Sequence, residues 1–398
     1  MNTRNILPRI LPKVPGKILG IHAQRLTGLI AKSLTDVHKQ LIINPDSVNE
    51  ARRKYNVAIG EALNDWNKKW KDWADKDLAT SYLQGVKKAD DVIKQYNIQT
   101  PPDKPVSNSL PMAGKSDPLL PDKIIPPAVK KAFKSSGIPN HLTFYNVFRR
   151  AAYHSLEGSS LQVLRTSRDL FRDAAVQAGD KMFKESDVFT RRKFSQEMLD
   201  DLARQGIKSV TYKNGRKVSI EAYAEMVGRT VSSHAAVQAE LNRYEEYGYD
   251  LVRVSSHFRA CPLCVPWEGA ILKTTEINDN HKHDYDGYLS DAISSGLFHP
   301  NCAHAVTAYF PDLSPDQELR VDPGEQKLID KHGYKKGQEI AYQAQEKQRY
   351  IERKIRDWKM RGITSLNDAA AVKASNKVLE WQSTMRKHIK DNPFLPRH

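Results

Sequence analysis

Leu251-Val-Arg-Val-Ser-Ser-His257-Phe-Arg-Ala-Cys261-Pro-Leu-Cys264 is answered downstream by His299-Pro-Asn-Cys302-Ala-His304, and these two stretches hold all three cysteines of the chain. A C-x-x-C pair answered by a His/Cys cluster has the donors and spacing of a zinc site, because thiolate sulfur and imidazole nitrogen suit that ion. The best foursome is Cys261, Cys264, His299 and Cys302, with His304 and His257 as alternates. Four filled positions make a structural Zn2+ site with little Lewis acidity left for chemistry. Its role is to clamp both ends of an irregular acidic insertion, 266–298, in a small β unit with little core. The competing reading is three buried thiols with incidental histidines. A redox C-x-x-C is disfavoured, since that motif opens a helix and Pro266 argues against one here.

Upstream, Leu251 to Val254 reads as a strand. Before it, Ile220, Tyr223, Val227, Val231, His234, Val237, Leu241 and Tyr244 keep a three/four spacing, which predicts a long helix stopped at Gly248. His234 on that stripe reads as a satisfied core histidine. Val210–Lys213 and Arg216–Ile220 flank Asn214-Gly215, the preferred pair for a tight hairpin turn. Helices are expected over 141–178, with a break at Gly158, and over about 190–204. Eight of the 21 prolines fall in 101–127, which predicts an extended connector. Ahead of it, a helix from Asp46 or Ser47 runs with breaks to Tyr96. Its Tyr55, Ile59, Leu63, Trp66, Trp70 and Trp73 share one face. A first helix over 20–41 carries Ile21, Leu26, Leu29, Ile30 and Leu34.

Downstream of about Gly324 the chain returns to helix, with Lys347, Arg349, Arg353, Lys354, Arg356, Lys359 and Arg361 crowded beside an apolar edge. Net charge is +15 and uneven. Residues 1–40 carry seven Lys/Arg against one Asp, and residues 331–398 carry 16 against seven Asp/Glu. Residues 268–330 carry 12 acidic against four basic side chains. Basic ends on a neutral body predict contacts with a polyanion such as double-stranded DNA, held by nonspecific electrostatics. The seven basic residues named above are the candidate nucleic-acid contacts.

No apolar run reaches the ~18 residues of a membrane span, so no stable membrane insertion is expected. Pro8, Pro12 and Pro15 interrupt the start where a signal peptide needs an unbroken apolar stretch, which predicts a cytoplasm-like compartment. No nucleophile elbow, phosphate loop or dinucleotide fingerprint is present, and no catalytic residues are assigned. A metal-dependent nuclease using His283, Asp284 and Asp286 is the enzymatic alternative, opposed by the acidic surroundings, which repel phosphate. A free nonspecific DNA-binding protein is the third.

Over about 220–361 the ordered set of motifs resembles the tailed-phage minor capsid, or head morphogenesis, proteins of the Mu F-like and minor capsid protein 2-like group. The set is Gly228-Arg229-Thr230, Val254-Ser-Ser-His257, Cys261-Pro-Leu-Cys264, Trp267-Glu-Gly269, His299-Pro-Asn-Cys302-Ala-His304 and the basic helix Gln348–Lys359. The match to the cluster blends two branches of that group. Cys261, Cys264, His299 and Cys302 follow one; His257, Cys302 and His304 follow the other. The resemblance implies a virion protein in the capsid interior near the portal vertex, present in host cytoplasm during assembly. It implies the portal and other capsid proteins as partners, and roles in genome packaging and ejection rather than catalysis.

The expected architecture is α+β and predominantly α-helical, with long helices plus a small zinc-stapled β unit. Its parts are an N-terminal helical arm (1–100), a Pro-rich linker (101–127), a helical body with a β-hairpin (128–248), the Cys/His unit (249–323) and a basic C-terminal helical tail (324–398).

Overall fold

The computed structural model describes residues 14–98, 125–205, 210–212, 215–274, 284–300, 302–311, 313–314 and 323–395. Its α-helices in chain order are α1 (Val14–Ile43), α2 (Val48–Gln95), α3 (Pro127–Ser135), α4 (Leu142–Gly179), α5 (Lys181–Glu185), α6 (Val188–Gln205), α7 (Ile220–Glu246), α8 (Leu289–Ser294), α9 (Pro323–His332), α10 (Tyr334–Ile363) and α11 (Asp368–Asp391). Its strands are β1 (Val210–Thr211), β2 (Lys217–Val218), β3 (Leu251–Val254), β4 (Ile271–Lys273), β5 (Gly287–Tyr288) and β6 (Val306–Ala308). The fold is therefore predominantly α-helical with a little β structure. The expected connector lies outside the described residues as far as position 124, and so does Asn214 of the expected hairpin turn. The strands on either side of that turn do pair, antiparallel, with Val210 opposite Val218.

Two helices are more continuous than their sequences predict. α2 has no break, and α4 passes through Gly158 without one. A lone glycine costs a helix only about 1 kcal/mol, which the buried residues on either side offset. In α1 the buried stripe is Leu19, Ala23, Leu26, Ile30, Leu34, Val37 and Leu41, whereas Ile21 is 56% exposed. Leu26, Ile30 and Leu34 are thus covered as expected, while Ile21 and Leu29, the latter 39% exposed, lie off the covered face.

The chain groups into two compact units, each drawn from separated stretches. One uses Lys71–His154 and Met226–Val321; the other uses Ile18–Trp70, Ser155–Glu225 and Asp322–His398.

In the first unit, Tyr82 is fully buried, with its ring centroid 5.5 Å from Phe133 and 6.4 Å from Tyr145. Its hydroxyl accepts from Asn242 Nδ2 at 2.9 Å. Close backbone approach is built in beside it. A Cβ placed on Gly85 would lie 2.2 Å from the Ala236 carbonyl oxygen, and Ala235, Ala236 and Ala239 are fully buried. Gly85→Ala must therefore push α2 and α7 apart. Its expected cost is about 1–3 kcal/mol, read as a lower urea midpoint; an unchanged midpoint would contradict that packing.

A charged cluster closes the same unit. Glu246 accepts from His141 Nε2 at 2.8 Å and from Arg243 at 2.6 Å. Burial opposes its charge, yet these bonds hold its pKa at about 2, below the ordinary 4.5. A carboxyl lowered by folding contributes stability above its unfolded value and loses it as pH falls through its folded one. Acid unfolding should therefore show a component between pH 4.5 and 2 that Glu246→Gln removes. An identical acid limb in the variant would refute the assignment.

The four-stranded sheet has the order β5-β4-β3-β6. β3 is antiparallel to both β4 and β6, with Arg253 opposite Ile271 and Val254 opposite Val306; β4 and β5 run parallel. β3 is the buried centre, with Leu251, Val252 and Val254 inside. This register carries two loops to one end of the sheet: the β3–β4 connection and the segment before β6.

In the second unit, Trp66 and Trp70 are each 1% exposed, so the tryptophan stripe here is core. Their indole N–H groups are satisfied by Ser160 Oγ at 3.1 Å and Asn67 Oδ1 at 2.9 Å. Tyr55 donates to the Ser167 carbonyl at 3.1 Å. α10 and α11 pack as a pair, in which the buried His388 meets the Ala344 carbonyl at 2.9 Å.

Candidate metal centre

Two tight turns bring the thiols together. After β3 the chain folds back so that Cys264 N–H donates to the Cys261 carbonyl at 3.0 Å, and Val265 N–H to the same oxygen at 3.1 Å. Downstream, Cys302 N–H donates to the His299 carbonyl at 2.9 Å. The sheet then aligns the two turns. Ser255 N–H donates to the Ala305 carbonyl at 2.8 Å, and Ala305 N–H returns a bond to Ser255 Oγ at 2.9 Å. Gly269 N–H donates to the Val254 carbonyl at 3.1 Å, which places Glu268 beside the start of the Cys loop.

The structure gathers all the residues singled out from the spacing. Cys261 Sγ lies 3.0 Å from His299 Nε2, and Cys264 Sγ lies 3.6 Å from Cys302 Sγ. Cys302 Sγ is 3.4 Å from His304 Nδ1, and the His257 and His304 rings are 4.2 Å apart. The donors form two overlapping triads, Cys261/Cys264/His299 and Cys264/Cys302/His304, which share Cys264. A tetrahedral zinc ion separates two thiolates by about 3.8 Å and a thiolate from an imidazole nitrogen by about 3.5 Å. The Cys264–Cys302 and Cys302–His304 separations are within about 0.2 Å of those values, Cys261–His299 is about 0.5 Å shorter, and the donors are of the right chemistry. Either triad therefore has the donors and spacing for such an ion, and a four-donor site would require both triads to draw together around Cys264.

Burial and mutual contacts set the charges of the cluster. Burial, then the neighbouring Cys302, pushes the Cys264 thiol up. Burial also works against a Cys302 thiolate, but hydrogen bonding to His304 outweighs it and lowers that pKa. For His304 burial opposes the charge, while bonds to Cys302 and Glu268 raise its pKa to about 9. Burial and the adjacent His304 take His257 down to about 4.

Glu268 is the residue that spacing missed. Its Oε1 lies 3.2 Å from His304 Nε2 and accepts the His257 backbone N–H at 2.7 Å. It is separated from His304 by the whole acidic insertion. The one available signal was its place in the Trp-Glu-Gly turn that begins β4.

The other sequence candidates are spread differently. His234 Nε2 meets the Phe298 carbonyl at 2.9 Å, a satisfied packing role. Of the nuclease alternative, His281 to His283 lie outside the described residues. Asp286 accepts the Ile271 backbone N–H at 2.8 Å, the job of a strand cap. The seven candidate nucleic-acid contacts all lie on α10 and divide into two rows. Arg349, Arg353, Arg356 and Lys359 follow one another at helical spacing and are exposed. Lys347, Lys354 and Arg361 recur every seven residues on another flank. Arg349 pairs with Glu346 at 2.7 Å, Lys354 lies over the Tyr350 ring and Arg361 over Trp358.

A family model described as phage minor capsid protein 2 matches residues 129–390. A "Structural protein" of Lactococcus phage LL-H is 28% identical over 209 residues, covering 50% of this chain and 52% of that protein. A "Structural protein" of Lactococcus phage mv4 is 30% identical over 118 residues, covering 29% of this chain and 83% of that protein. The chain thus spans about half the length of the first relative. No solved structure matches.

Proposed function

Because this chain belongs to the phage minor capsid protein 2 family, we propose that it is a structural, non-enzymatic component of the phage head that acts at the portal vertex. There it meets the portal and neighbouring capsid proteins during head assembly and serves genome packaging and ejection. A structural phage protein resides in the virion, and a capsid family implies contacts with other capsid components; the portal position and the cytoplasmic assembly stage are the finer part of this reading. The observation that carries it is the extent of the family match. It takes in both turns of the Cys/His centre and the basic helix α10. No described helix is long and apolar enough to cross a membrane.

Within that reading the Cys/His cluster is a closed structural zinc centre formed by Cys261, Cys264, Cys302 and one histidine. When bound, zinc ties the two turns together and needs no substrate position. The five-part organisation supplies the rest: an N-terminal arm for protein contact and a basic tail toward packaged DNA. Exposed cations suffice for that contact, because phosphates are read by charge alone. Replacing Arg349, Arg353, Arg356 and Lys359 by Gln should weaken duplex binding in a salt-dependent way. The slope of log K against log salt should become shallower by about 3 to 4 if each residue meets one phosphate. An unchanged slope would remove α10 as the DNA face.

The partner test is co-purification with a portal ring from nuclease-treated lysate. Retention without DNA supports the portal reading. Capture only when DNA is intact supports a free DNA-binding protein instead. A metal-dependent cut in plasmid DNA, abolished by His283→Ala, would overturn the non-enzymatic reading.

A further inference from the structure

The buried Glu268–His304 contact has no packing explanation. Two apolar side chains would fill that space without carrying a carboxylate and an imidazole out of water. The His304 side chain is 1% exposed and that of Glu268 9%. One ring nitrogen of His304 faces the thiol of Cys302 at 3.4 Å while the other faces the carboxylate at 3.2 Å. A histidine with one nitrogen toward soft donors and the other held by a carboxylate is arranged as a metal ligand with its orienting partner.

Resting on the metal-centre reading above, we propose that Glu268 is the positioning residue of the site. It fixes His304 in the tautomer with Nε2–H, leaving Nδ1 to complete the set Cys261, Cys264, Cys302 and His304. His299 is the outer of the two histidines. Its Nε2 lies 3.0 Å from Cys261 Sγ, but its ring is half-exposed and its Nδ1 is held by the carbonyl of its own neighbour Pro300, at 2.9 Å, rather than by a buried side chain. Glu268 has a second duty that ties the loop to the site: the same Oε1 accepts the His257 backbone N–H. It therefore fixes the end of β3 and the ligand orientation together. Closure requires the two donor triads to draw together. Cys264 already belongs to both triads, so Cys261 and the Cys302/His304 pair converge on the sulfur they share.

The test uses the full chain loaded with cobalt(II) as a spectroscopic substitute for zinc. Wild type should take up one ion with the intense visible bands of tetrahedral coordination by three thiolates. His299→Ala should keep both the ion and the bands, whereas His304→Ala should lose them. Glu268→Gln should keep the band pattern but bind 10- to 100-fold more weakly in chelator competition. A variant that fails to fold would blur this, so nitrogen NMR of histidine-labelled wild type with zinc or cadmium gives an independent readout. It should show His304 metal-bound at Nδ1 and protonated at Nε2. Loss of metal in His299→Ala with retention in His304→Ala would overturn the assignment while leaving the metal centre standing. Unaltered affinity in Glu268→Gln would likewise overturn the positioning role. Wild type that binds no cobalt or zinc would instead bring down the metal centre and this inference with it.

Discussion

Protein purified without chelator is expected to carry about one zinc ion per chain, and Cys264→Ser is expected to abolish it and melt the β unit. Cys264 is the position to change because it is buried and common to both donor triads. Its removal takes a ligand from any foursome the site adopts. The effect should be large for a structural reason. The sheet around the site has four strands of only two to four residues, too little to hold irregular loops by apolar burial alone. Structural zinc binding is worth on the order of 10 kcal/mol in small isolated sites. Part of that free energy should appear here as the ordering of residues 251–311. Metal analysis together with exchange protection in that segment measures both effects. Metal-free wild type whose unfolding matches that of Cys264→Ser would rule the clamp out.

The second large effect is expected at the buried pair Lys88–Glu240. Glu240 Oε2 receives Lys88 Nζ at 2.8 Å, with the carboxylate side chain 2% exposed. Burial raises the Glu240 pKa, and Lys88 works against that rise. Lys88→Met leaves a carboxylate in the core without its counter-ion and should cost about 3–5 kcal/mol near neutral pH. Adding Glu240→Gln should recover much of the loss, since no charge is then buried. The sign with pH is a further check. A carboxyl raised on folding destabilises increasingly as pH rises through its unfolded and folded values. The Lys88→Met penalty should therefore shrink on acidification as Glu240 takes up a proton. A small, pH-independent penalty would mean that the pair is solvated.

Helical periodicity carried most of the fold. The stripe Tyr55, Ile59, Leu63, Trp66, Trp70 and Trp73 is buried as expected, because a three/four spacing places those side chains on one face whatever the partner. The stripe in α1 was legible at Leu26, Ile30 and Leu34 but not at Ile21 and Leu29. Ile21 and Leu29 are as apolar as their neighbours, and only the surrounding helices determine which of them is covered. The metal candidates were legible because cysteines are so few. Glu268 was not, since its approach to His304 depends on the register of β4 and β6 on β3, which short strands of similar residues do not encode locally. The two rows on α10 have the same origin: charge identity is visible in sequence, but the exposed side is set by packing against α11.

The position of the protein in the particle is the plainest test of the account. Gold labelling of an epitope-tagged chain in mature phage heads, opened to expose the interior, is predicted to mark a single vertex, the one that bears the portal and tail. Label spread over the whole shell, or heads that lack the protein, would contradict it.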